Sequence, residues 1–347
     1  MSQIIRVLVV DDSAFVRKVV REMLSRSPVI EVVGVARDGC EALEMVEQLK
    51  PDVVTCDLSM PNLDGVGFVL QQMSRRPVPI LIISIANQDT EQALQALEAG
   101  AVDFVQKPTA LANDDLLRIR EELVEKVKAA ARAVVGRIGP PRPAELTRAA
   151  ASLPNGVARA DIVVIGISTG GPQALRLLLP LFPANFPVPV AVVLHMPVGF
   201  TALYAERLNE ACPMTVKEAA EGDELKPGLI LLACAGRHLV LRRSQSGAVV
   251  ANLAIQPTHS LHRPSVDVLF KSAAEVYGDR VRGVVMTGMG DDGKEGAAWI
   301  KAQGGIILTE AEESCVIFGM PRSVAEAGLS DASVPLKDLA QAITDRL

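Results

Sequence analysis

Five short apolar runs set the architecture of the first third of the chain: "IIRVLVV" (4–10), "EVVGVA" (31–36), "DVVTCDL" (52–58), "PILIIS" (79–84) and "VDFVQKP" (102–108). A strand that is apolar at nearly every position, not at alternate ones, has both faces covered. The segments between the runs, Ala14 to Ser25, 39–49, 66–75 and 90–99, carry helical patterning. Alternating strand and helix with both strand faces buried predicts a five-stranded parallel, doubly wound sheet. Such sheets collect their chemistry at the carboxyl ends of the strands.

The chain has 347 residues, long for one domain and suited to two. A charged amphipathic stretch at 112–135 leads into "GRIGPPRPAELTRAAASLPNGVARA" (136–160), rich in Gly, Pro and Ala and without apolar period. We therefore expect one domain over 1–125, a helix end and flexible linker over 126–160, and a second domain over 161–347. The second half repeats the short β-branched runs, "DIVVIGIS", "VPVAVVLH", "GLILLA", "VRGVVMTG" and "GGIILT", and adds "HLVLRRSQSGAVVANLA", patterned as a hairpin about Ser-Gly. It is expected to be α/β with a mixed sheet and a β-hairpin.

A net charge of -6 with no basic tract argues against nucleic-acid binding. The five cysteines are scattered without C-x-x-C spacing, as reduced thiols are. Residues 177–205 hold no Asp, Glu, Lys or Arg, but Pro180, Pro183, Pro187, Pro189 and Pro197 interrupt them, so no membrane insertion is expected. The chain opens directly on the first apolar run, and a cytoplasmic location follows as an expectation.

Asp11 and Asp12 fall where the first strand should end and Asp57 where the third should end. Neighbouring strand ends would bring the three carboxylates together, and their mutual repulsion makes Mg²⁺ a natural occupant. Ser84 and Lys107 end the fourth and fifth strands. A lone Asp at a strand end reads more readily as a solvated carboxylate; five suitable residues at strand ends read as a site that accepts a phosphoryl group. The spacing resembles the receiver domain of two-component response regulators over about residues 3–125. That resemblance implies Asp57 as phospho-acceptor, Mg²⁺ held by Asp12, Asp57 and the Ser59 carbonyl with Asp11 as a further acid, and Ser84 and Phe104 as switch residues beside Lys107.

In the second half, Gly166-Ile167-Ser168-Thr169-Gly170 spells G-x-S-x-G after an apolar run. A nucleophile on a strand-to-helix turn, a phosphate cradle and a plain tight turn all fit the pentapeptide. A cradle would want G-x-x-x-x-G-K-[ST] or G-x-G-x-x-G, and neither is present. The next run ends in His195, one of four histidines with His238, His259 and His262. "VVMTGMGDDGKEG" brings Asp291 and Asp292 after another run. The order Ser, His, acid differs from that of the α/β-hydrolases, but the constellation recurs on unrelated folds.

"GISTGGPQAL", "LHMPVGFT", "RPSVDVLF", "TGMGDDG" and "CVIFGMPRSVAEAG" resemble successive blocks of the chemotaxis protein-glutamate methylesterase (CheB) family. The resemblance implies Ser168 as nucleophile, His195 as general base and Asp292, not Asp291, as the acid. It further implies the Met289 N–H in an oxyanion hole, Thr169 in the site, and no cofactor for the esterase. By the same resemblance the substrates are glutamate methyl esters and glutamines on methyl-accepting chemotaxis receptors. A histidine kinase donates the phosphoryl group, and the unphosphorylated receiver obstructs the esterase. An alternative of another class keeps the receiver and makes the second half a non-catalytic effector, a dinucleotide-binding or protein-docking module.

Overall fold

The computed structural model describes residues 4–84, 90–107, 113–136, 159–258 and 260–347. Residues 137–158, most of the linker expected over 126–160, and His259 lie outside them. Two compact units are present, 1–140 and 141–347.

The first unit alternates β1 (Ile5–Val10), α1 (Ala14–Leu24), β2 (Ile30–Ala36), α2 (Gly39–Leu49), β3 (Val53–Cys56), α3 (Gly65–Arg75), β4 (Ile80–Ser84), α4 (Thr90–Glu98), β5 (Asp103–Gln106) and α5 (Asn113–Ala130). Three helices begin where a short polar side chain can accept an otherwise unpaired backbone N–H: Ser13 from Val16, Asp38 from Glu41 and Asp64 from Gly67. The helical stretch expected to reach 135 stops at Ala130, where Arg132 and Ala133 turn back to bond Ala129 and Ala130. The five strands form one parallel sheet in the order β2-β1-β3-β4-β5. The order reverses between β1 and β3, so the crevice above their carboxyl ends is open to a ligand.

The second unit holds β6 (Ile162–Ile167), α6 (Gly171–Leu178), β7 (Val190–Leu194), α7 (Thr201–Ala211), β8 (Thr215–Glu218), β9 (Leu229–Leu232), β10 (His238–Arg243), β11 (Val249–Ala254), α8 (Val266–Tyr277), β12 (Val281–Val285), α9 (Lys294–Ala302), β13 (Ile306–Glu310), α10 (Met320–Glu326), β14 (Ala332–Val334) and α11 (Leu336–Thr344). Seven strands form a sheet in the order β14-β13-β12-β6-β7-β9-β8. Every pairing in it is parallel, which corrects the expected mixed sheet. The antiparallel hairpin exists, but β10 and β11 make a separate two-stranded sheet. Its inner side chains Leu239, Leu241, Val249 and Ala251 are buried in the same cluster as Leu269, Phe270 and Ala273 of α8. The Ser272 hydroxyl of α8 accepts the Leu241 N–H at 3.1 Å. The hairpin thus covers a helix and does not extend the sheet edge.

β6, β7, β9 and β12 are buried along their whole length. Each fully buried Val, Leu or Phe side chain contributes about 1.5–3 kcal/mol relative to its exposed state, which fixes the strand ends that carry the polar residues. The uncharged stretch 177–205 runs through the end of α6, β7 and the start of α7. Among the described residues no helix is long and apolar enough to cross a membrane.

Candidate functional site

In the first unit, pairing of Val10 with Cys56 puts Asp11 and Asp57 side by side, one residue past the last pair. Lys107 follows β5, its N–H bonded to the Ser84 carbonyl. Its ammonium bridges Asp11 Oδ2 at 2.9 Å and Asp57 Oδ1 at 2.8 Å. One oxygen from each of Asp11, Asp12 and Asp57 lies within 4.8 Å of the others, a spacing that suits a hard divalent cation. Burial pushes the Asp57 carboxyl up and the Asp11 charge adds to this, while Lys107 and the Leu58 N–H oppose it. Burial works against the Lys107 charge, but the two carboxylates outweigh it and raise its pKa. Ser59 is exposed two positions beyond Asp57, and Ser84 and Phe104 are buried. Lys126 donates to the Phe104 carbonyl at 2.6 Å and sits 5.3 Å above the Phe104 ring.

In the second unit three neighbouring strands deliver the predicted residues to one rim. Ile167 pairs with Leu194, and the His195 N–H bonds the Ile167 carbonyl, so Ser168 and His195 end adjacent strands in register. On the other side the Ser168 N–H bonds the Thr287 carbonyl, and a Cβ on Gly288 would meet the Ser168 Cβ at 2.8 Å. Met289 continues that turn. The two glycines of G-x-S-x-G have separate tasks. A Cβ on Gly166 would come within 2.2 Å of Val266, so its bareness lets the start of α8 approach β6. Gly170 has φ +79°, the left-handed turn that ends the Ser168–Thr169 segment and opens α6.

His195 Nε2 lies 2.8 Å from Asp292 Oδ2. The Asp292 carboxylate also accepts the Val266 and Asp267 N–H groups at 2.8 and 3.0 Å and the Ser265 hydroxyl at 2.9 Å. It therefore seats on the N-terminus of α8. Burial pushes its pKa up, but the His195 hydrogen bond and charge and the backbone donors outweigh burial and hold it well below the usual carboxylate range. His195 Nδ1 is buried with no hydrogen-bond partner. With the carboxylate on Nε2, the neutral ring that accepts a proton has its lone pair on Nδ1. Asp291, the neighbouring acid, points outward with its side chain 75% exposed.

Several groups around this rim carry no sequence expectation. The His262 ring stacks on His195 with centroids 4.0 Å apart. His238 is fully buried and spans Pro257 and Ser265. Asp267 Oδ1 accepts the Gly293 and Gly296 N–H groups, tying the start of α8 to that of α9. Burial, with the Asp292 charge adding to it, raises Asp267 to about 7.

Glu310, at the end of β13, is fully buried and accepts the Thr287 N–H at 2.9 Å and the Ser314 hydroxyl at 3.0 Å. An acid closing a buried apolar strand is the signal that could have marked it. Burial lifts Glu310 from 4.5 to about 7 despite these donors. Native Glu310 keeps its proton to higher pH than the unfolded chain does. Its stabilisation is full below 4.5 and is lost as pH rises through about 7. The second unit is expected to lose about 3 kcal/mol through this group between pH 4.5 and 8. Asp267 contributes with the same sign. In urea unfolding at pH 5 and pH 8, Glu310→Gln should show a clearly smaller loss than the parent chain; an equal loss would mean that Glu310 does not titrate there.

Residues 163–343 match the family model of the CheB methylesterase, and residues 7–119 match that of the response regulator receiver domain. The protein-glutamate methylesterase/protein-glutamine glutaminase 5 of Myxococcus xanthus (strain DK1622) is 51% identical over 336 residues, covering 96% of this chain and 96% of that protein. The protein-glutamate methylesterase/protein-glutamine glutaminase of Symbiobacterium thermophilum is 44% identical over 352 residues, covering 98% and 96%. The crystal structure of the Thermotoga maritima CheB methylesterase catalytic domain superposes with a TM-score of 0.53 at 42% identity, covering 54% of this chain and 99% of that one.

Proposed function

The chain belongs to the CheB methylesterase family, the protein-glutamate methylesterase/protein-glutamine glutaminases, with a response-regulator receiver domain ahead of the catalytic one. From that premise we propose that Ser168, His195 and Asp292 hydrolyse glutamate methyl esters, and deamidate glutamines, on methyl-accepting chemotaxis receptors, at a rate set by phosphorylation of Asp57. The observation that carries the triad is the His195–Asp292 bond, which leaves an unpartnered Nδ1 on the ring beside the Ser168 strand end.

Ser168 Oγ attacks the side-chain carbonyl carbon of the substrate, and its proton passes to His195 Nδ1. Asp292, bonded to Nε2–H, orients the ring and stabilises the imidazolium. The Met289 N–H and the turn that opens α6, with Thr169 beside it, face the tetrahedral oxyanion. Collapse returns the proton from Nδ1 to the leaving group and releases methanol, or ammonia from a glutamine. Water, deprotonated by His195, then cleaves the γ-glutamyl ester on Ser168 and frees the glutamate. Ester and amide differ only in the leaving group, so one site serves both. No cofactor takes part in these steps.

In the receiver, Asp11, Asp12 and Asp57, with the Ser59 carbonyl, would hold Mg²⁺, which when bound offsets the negative charge of the incoming phosphoryl group. An Asp57 oxygen attacks the phosphorus of a histidine-kinase phosphoimidazole, the P–N bond breaks, and the imidazole leaves with a proton taken from water. Lys107 and the Ser84 hydroxyl then re-bond to the new oxygens, and Phe104 follows Ser84 in a two-state switch. The unphosphorylated receiver restrains the esterase, in the cytoplasm where kinase and receptor tails are met.

The test is methanol release from methylated receptor membranes, with and without acetyl phosphate and Mg²⁺. Asp57→Ala is expected to keep a low basal rate that acetyl phosphate does not raise. A chain lacking residues 1–140 should turn over faster than the unphosphorylated full-length protein. Activation of Asp57→Ala to the parent level, or a folded truncated form no faster than the full chain, would overturn the regulatory reading.

A further inference from the structure

A hydrogen bond fixes one point of a ring; it does not fix the ring's plane. His195 is held at Nε2 by Asp292, and rotation about that contact would swing Nδ1 along an arc. Nothing bonds Nδ1 itself. What meets the ring face is His262, stacked at 4.0 Å between centroids with 20° between the planes. We propose that His262 is a positioning residue for the esterase reaction, its ring fixing the plane in which His195 presents Nδ1 to Ser168.

The segment that carries His262 is anchored on both sides. His238 Nδ1 accepts the Ser265 N–H at 3.2 Å, so its proton is on Nε2, which donates to the Pro257 carbonyl at 3.1 Å. Between these anchors the Gly236 N–H bonds the Arg263 carbonyl at 3.0 Å. The next residue after the segment is Val266, whose N–H seats Asp292. One stretch of chain therefore sets the height of the acid and the face of the base. His238, buried and bonded at both nitrogens, is the post on which that stretch is hung.

The inference rests on the Ser168–His195–Asp292 reading, and the experiment separates the two. kcat and KM for methanol release from methylated receptor are measured for full-length His262→Ala, His262→Gln and His262→Phe, with Ser168→Ala alongside and thermal unfolding as the check on folding. Ala and Gln remove the ring and should lower kcat by about 10–100-fold with KM within about twofold, because an ångström of misplacement costs up to about 100-fold. Phe restores a flat face and should return kcat to within about threefold of the parent. A His262→Ala enzyme within twofold of the parent overturns the proposal, as does recovery by Gln with none by Phe, which would make hydrogen bonding the role. Ala only removes bulk, so its kcat decides the matter alone if the loop rejects the larger ring. Turnover by Ser168→Ala would instead sink the triad reading on which this inference stands.

Discussion

Replacing Ser168 with Ala is expected to stop methanol release from methylated receptor, by roughly 10⁴–10⁶-fold in kcat, while acetyl phosphate still labels Asp57. The size follows from the mechanism. Without Oγ no acyl-enzyme can form, and His195 and Asp292 have no nucleophile to activate. The structural cost should be small. Ser168 is held through its backbone, by the Thr287 carbonyl and by its own carbonyl to the Gly171 N–H at 2.7 Å, and Ala keeps both bonds. A kcat within tenfold of the parent would remove Ser168 from the chemistry. Loss of Asp57 labelling in the same variant would show that the substitution had damaged more than the site.

Asp292→Asn should lower kcat by about 10²–10⁴-fold, roughly 3–5.5 kcal/mol of transition-state stabilisation. Both carboxylate oxygens accept: Oδ2 from His195 and Val266, Oδ1 from Ser265 and Asp267. An amide offers only one acceptor oxygen. Whichever way it turns, its NH₂ meets a backbone N–H that is also a donor, Val266 on one side or Asp267 on the other. The orientation that spares the Val266 bond keeps an oxygen on His195 but loses the negative charge that stabilises imidazolium. Asp291→Asn, at an exposed side chain 4.0 Å from Lys294, should stay within about twofold. Equal losses in the two variants, or the reverse order, would move the acid to Asp291. The readout is kcat on methylated receptor.

The strands that reach the two rims were legible because they are apolar at nearly every position. "IIRVLVV", "DIVVIGIS" and "VPVAVVLH" each gave a buried strand whose next residue is polar and functional in kind: Asp11, Ser168 and His195. β8 and β14 carry no such mark. They are short edge strands with exposed positions, Thr215 and Lys217 in one and Ser333 in the other, and their sequences read equally well as loop. The hairpin pattern about Ser-Gly was legible, but its partner was not. Whether a hairpin joins a sheet or covers a helix is decided by Leu239 and Leu241 meeting α8, a contact between distant residues. The site divided in the same way. Ser168 and His195 follow from strand ends, whereas the choice of Asp292 over Asp291 came from family likeness; the two differ here in the donors that surround them. His262, His238 and Asp267 owe their places to long-range contacts, for which spacing along the chain gives no signal, whereas Glu310 closes an apolar run.

The register of β6, β7 and β12 sets what kinds of length change this fold can absorb. Ser168 and His195 each come one residue after the last paired position of their strands, and Thr287 two after its own. Removing or adding one residue within any of these strands would draw its polar end back or push it forward by about 3.3 Å and turn it to the opposite face of the sheet. The hairpin turn is under no such constraint: a Cβ on Gly247 meets nothing within 4 Å. Insertions, tags or reporter groups belong at that turn, and drift in length along a lineage of such chains should collect there while the three central strands keep their count.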